Sequence, residues 1–128
     1  MKKATIYYSD TLMVNNLTKS VLFEINEKLE CKPSLFIVDC TLMINEKIKE
    51  KIEKIKKSIN CDTNVVQILN VPKKFDYANI LYSVSEGVKN ENSESPLFPK
   101  FIITTKFLPK FDASSKRRCD VFELKKID

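Results

Sequence analysis

Leu35-Phe36-Ile37-Val38 is an unbroken apolar run, and it is followed by Ile48, Ile52, Ile55 and Ile59 and then by Val65-Val66-Gln67-Ile68-Leu69. A strand apolar on every residue is buried on both faces, which is the mark of a parallel sheet rather than of a half-solvated antiparallel one. The four isoleucines recur every three or four residues while the positions between them are almost all Lys and Glu, so this segment is an amphipathic helix. Glu50–Lys54 and Glu53–Lys57 stand at i,i+4 in the favourable order. Strand, crossover helix and second strand together make a βαβ unit.

The same alternation extends outward in both directions. Ala4-Thr5-Ile6-Tyr7-Tyr8 reads as a strand ended by Ser9-Asp10-Thr11, and Leu17, Val21, Ile25 and Leu29 place a helix between it and the turn at Pro33. Thr11-Leu12-Met13-Val14-Asn15 recurs 30 positions later as Thr41-Leu42-Met43-Ile44-Asn45, and Cys31 recurs as Cys61. Thirty residues is one βα unit, so the echo predicts adjacent parallel strands with right-handed crossovers. Downstream, residues 76–87 read either as a helix capped by Asp76 and stopped by Gly87 or as a strand over Asn79–Val84. Residues 89–99 form a polar loop with two prolines, and Phe101–Leu108 is a strand ended by Pro109. Residues 113–128 are a basic element in which Val121, Phe122, Leu124 and Ile127 are interleaved, and a helix or a strand would bury them. Residues 1–128 thus make a single α/β domain, the usual size for one core.

Composition excludes much. There is no histidine, which removes imidazole bases, Ser–His and Cys–His pairs and every His metal ligand. The single glycine, Gly87, cannot supply the close backbone approach of a phosphate-binding loop. Cys31, Cys40, Cys61 and Cys119 contain no CxxC pair, so they read as small thiols in a reducing, cytoplasmic setting rather than as zinc ligands. No apolar run approaches the length of a membrane span and no signal-peptide pattern is present, so no membrane partner is expected. The net charge is +5, but residues 97–128 hold 8 basic and 4 acidic side chains, leaving only +1 to the first 96 residues. The positive charge is a local patch.

Five groups of residues are candidates for chemistry. Asp10 and Asp39, at the ends of the first two strands, could hold Mg²⁺ as in a metal nuclease, with Asp62 or Asp76 as a further acid, yet acids at these positions also cap helices. Cys40 follows Asp39 at a helix start, a place that lowers a thiol pKa, but no imidazole is available to activate it. Thr11 and Thr41 would donate to an anion or cap the helix. Lys116-Arg117-Arg118, with Lys110, Lys125 and Lys126, is the most credible binding feature: clustered cations contact phosphates or clamp acidic peptides. Phe107, Phe111 and Phe122 lie close by in sequence and would serve as stacking platforms for single-stranded nucleic acid or as core. No catalytic residue, resident metal or cofactor is assigned.

The order of these pieces resembles the chi subunit of bacterial DNA polymerase III. Met1-Lys2-Lys3-Ala4-Thr5-Ile6-Tyr7 with Asp10 is similar to that family's first strand. Asn79-Ile80-Leu81-Tyr82-Ser83-Val84 after Pro72-Lys73-Lys74 resembles a later strand, and Phe107-Leu108-Pro109 with Asp112 resembles a strand end before a final Arg-rich helix, here Lys116 to Lys126. The chain has no tryptophan, which the family often carries after its second helix. The resemblance implies a Rossmann-like sheet of mainly parallel strands with helices on both faces and no nucleotide-binding site. It also implies a non-catalytic clamp-loader subunit that joins the psi subunit to the acidic C-terminal tail of single-stranded-DNA-binding protein, with DNA contact indirect. Arg117 and Arg118 would take the tail's carboxylates, and Leu108 and Val66 its terminal apolar side chain.

Overall fold

The computed structural model describes residues 3–9, 35–91 and 94–123. Asp10, the helix expected over Leu17–Leu29, the first copy of the echo, Cys31, Pro33 and residues 124–128 lie outside the described residues. Five strands, β1 (Ala4–Tyr8), β2 (Leu35–Asp39), β3 (Val65–Val71), β4 (Lys100–Thr105) and β5 (Cys119–Glu123), form one sheet in the order β2-β3-β4-β1-β5. Every pairing is parallel, as the apolar runs predict, and the architecture is a Rossmann-like α/β sheet. The Leu35–Val38 run is not buried on both faces as expected, because β2 lies at the sheet edge and leaves Leu35 and Ile37 exposed.

Two longer helices cover one face. α1 (Asn45–Ser58) joins β2 to β3 and α2 (Ala78–Glu86) joins β3 to β4. Both steps move the chain one strand in the same direction, and crossovers of one hand then place both helices on the same side. Ile48, Ile52 and Ile59 are buried and Ile55 packs half-buried beside them, as the stripe predicts. These residues, with Ile80, Leu81 and Val84 of α2, meet Ala4, Ile6, Val38, Val66, Ile68, Phe101 and Ile103 from the sheet in one core. The α1 ion pairs are Lys47–Glu50 at 3.6 Å and Glu53–Lys56 at 3.7 Å, both i,i+3 in place of the expected i,i+4 pairs.

Several expectations are corrected. β1 and β2 are not neighbours, because β3 and β4 lie between them. A 30-residue echo reports a local unit and carries no information on where its strand enters the sheet. Residues 78–86 are helix, not the strand suggested by the family resemblance: Ile80, Leu81 and Val84 turn inward while Tyr82 is exposed, a pattern that fits a helix and not period-two alternation. Asp76 Oδ1 accepts the Ala78 N–H at 3.0 Å at one end, and Gly87 at φ +78° stops the other.

The basic C-terminal element is likewise not one long helix. α3 is a single turn, Ala113–Lys116, and the chain then enters β5 beside β1, where the Ala4 N–H donates to the Arg118 carbonyl at 3.0 Å. Pairing with β1 occupies that strand's outer edge, and Val121-Phe122 has the β-branched and aromatic character a strand favours. As an edge strand β5 leaves Val121 and Phe122 half-exposed, so they are not buried as expected. β4 stops at Thr105, before the expected Leu108, because Thr105 Oγ1 accepts the Phe107 N–H at 3.0 Å and bends the chain away. Among the described residues no helix is long and apolar enough to cross a membrane.

Candidate functional site

The basic segment forms where α3 hands the chain to β5. Asp112 caps α3 by accepting the Ser115 N–H at 2.7 Å, and this bond, helped by the nearby Arg118, holds its carboxyl below the usual range. Arg117 ends the turn exposed to solvent and Arg118 is half-buried at the sheet. Among the described residues neither arginine enters an ion pair, whereas Asp120 on β5 is matched by Lys3 at 3.8 Å. Beyond them β5 pairs with β1 alone among the described strands, and Phe122 stacks on Tyr7 with ring centroids 5.7 Å apart.

The four residues expected to form one peptide pocket do not converge. Arg117 and Arg118 precede the amino end of β5, whereas Leu108 follows the carboxyl end of β4 and is 60% exposed. The strands are parallel, so the two sites stand at opposite ends of the sheet, about 16 Å apart along five residues of strand. Val66 is 0% exposed, sealed under the helices between Phe36 and Phe101, and it lines no surface. Next to the arginine pair in the chain, Val121 and Phe122 of β5 are the half-exposed apolar residues.

Asp39 is held in a turn, while Asp10, its expected partner, lies outside the described residues. Its Oδ1 accepts from the Thr41 N–H at 3.0 Å, the Thr41 hydroxyl at 2.6 Å and the Asn70 amide at 3.2 Å, and the Thr41 bonds lower its carboxyl pKa. Neither Asp39 nor Thr41 caps α1, whose first residue follows Ile44 without a side-chain cap. Asp62 is at the opposite end of the sheet, accepting the Phe98 N–H at 2.7 Å, and Asp76 is engaged at α2. Among the described residues no three His, Cys, Asp or Glu side chains form a group able to hold a metal. Cys40 is buried, and burial with the neighbouring Asp39 pushes its thiol up to about 11, the reverse of the lowering expected at a helix start.

Two features had no sequence signal. Asn70 and Leu42 adopt φ of +56° and +60°, the first within an irregularity of the β3–β4 register between Ile68 and Val71. That bulge aims the Asn70 amide at Asp39 and Thr41 while its N–H donates to Thr104 Oγ1 at 3.0 Å. Asn is a residue that tolerates the left-handed region; Leu is not. On the helix-bearing face, Glu53, Lys56 and Asn79 close a polar ring at the wall of an open cleft of about 620 Å³: Asn79 donates to Glu53 at 3.0 Å and accepts from Lys56. Burial lowers the Lys56 pKa, while Glu53 offsets part of that shift. Scans against family models, curated proteins and solved structures return no match for the chain.

Proposed function

We propose that this chain is a non-catalytic partner-binding subunit that takes an extended acidic peptide along the outer edge of β5, with Arg117 and Arg118 receiving carboxylates at its amino end. The observation that carries this reading is the conjunction of an edge strand, two arginines without ion pairs among the described residues, and the half-exposed Val121 and Phe122. A strand edge offers main-chain donors and acceptors to an incoming strand, exposed side chains give it apolar contact, and guanidinium groups bind carboxylates in a planar fork. The absence of histidine and the engagement of Asp39, Asp62 and Asp76 in turns and loops support a binding role over a catalytic one.

The sequence resemblance to the chi subunit supplies the specific form of the proposal: the peptide is the C-terminal tail of single-stranded-DNA-binding protein, and a second face engages the psi subunit. The test is fluorescence anisotropy of a labelled acidic tail peptide against the full chain. We expect salt-sensitive binding, weakened about tenfold in the Arg117→Ala/Arg118→Ala variant, the size expected for two exposed charge contacts at up to about 1 kcal/mol each. Equal affinity of wild type and double variant refutes the site.

A further inference from the structure

We draw no further inference here: the strongest candidate, the outer edge of β2 with its exposed Leu35 and Ile37, directly follows residues 10–34, which lie outside the described residues, and nothing in the structure shows what covers it.

Discussion

Val66→Ala separates the geometry described here from a pocket that would use this residue for ligand contact. The substitution removes two methyl groups from a side chain that is 0% exposed, an apolar transfer loss of about 1.6 kcal/mol at about 0.8 kcal/mol per carbon. The register places Val66 between Phe36 of β2 and Phe101 of β4, with α1 and α2 above the same core. Flanked by two hydrogen-bonded strands, the gap collapses little. A residual cavity near 45 Å³ therefore adds about 1 kcal/mol at about 24 cal/mol per Å³. The total, about 2.5 kcal/mol, corresponds to a Tm about 10 °C lower for a domain of this size. Urea unfolding followed by circular dichroism measures it, with an unchanged m-value as the check that the transition is the same. Acidic-peptide affinity, measured at a temperature where both proteins are fully folded, stays at the wild-type value. A loss under about 0.5 kcal/mol means that Val66 is not sealed in the core. An affinity that falls with stability intact restores Val66 to the peptide pocket.

Gly87→Ala is expected to destabilise by about 2–4 kcal/mol, because at φ +78° and ψ 179° only glycine is at ease and a Cβ would meet the Pro96 Cβ at 2.7 Å; thermal melting within 2 °C of wild type would contradict this. Tyr77 is packed edge-on against Phe75 and Phe111, and burial pushes its phenol up to about 12. Its neutral form is the one the fold favours, so this contribution is complete below the ordinary phenol pKa near 10 and is lost as pH rises from there toward 12. Urea midpoints between pH 9 and 12 should therefore fall more steeply for wild type than for Tyr77→Phe, and parallel curves would refute the burial.

What could be read from sequence is what depends on local periodicity. The isoleucine stripe of α1 and the apolar run of β3 report burial directly, because a buried face must be apolar wherever it goes; the equally apolar run of β2 does not, because β2 is an edge strand and its Leu35 and Ile37 stay exposed. Asp76 and Gly87 marked the ends of α2, and the resemblance favoured a strand there only by taking Asn79–Val84 without its punctuation. Strand order was not legible, since β1 and β2 are separated by strands that arrive later in the chain. The candidate site failed for the same reason. Leu108 and Arg117 are nine positions apart in sequence, but the crossover between them carries the chain from one end of the sheet to the other. Val66, which the resemblance placed in the pocket, is an apolar residue on an inner strand beneath the helices, and that is the reason it is inaccessible. The turn that holds Asp39 depends on Asn70, 31 residues away, and Leu42 at φ +60° breaks a local preference that a sequence pattern can only state in the other direction.

On the proposed function, the direction in which a peptide would join β5 follows from where the charges of the described residues stand. Lys116, Arg117 and Arg118 are at the amino end of the strand, while its carboxyl end carries Glu123. A parallel peptide would bring its own amino terminus toward the arginines and its acidic end toward Glu123, two repulsive placements. An antiparallel one would set its terminal carboxylate against the guanidinium pair and keep its acidic residues clear of Glu123, so a C-terminal tail is the form of ligand that the proposal predicts for this edge. The free carboxylate is then worth one charge-assisted contact at a partly exposed site, on the order of 1 kcal/mol. Amidating the last residue of the tail peptide should weaken binding about fivefold to the wild-type chain and leave the already weakened Arg117→Ala/Arg118→Ala chain unaffected, because its partner is gone. Equal losses in both proteins would place the terminus elsewhere. An affinity indifferent to amidation in the wild type would mean that the peptide runs parallel to β5 or does not use its edge at all.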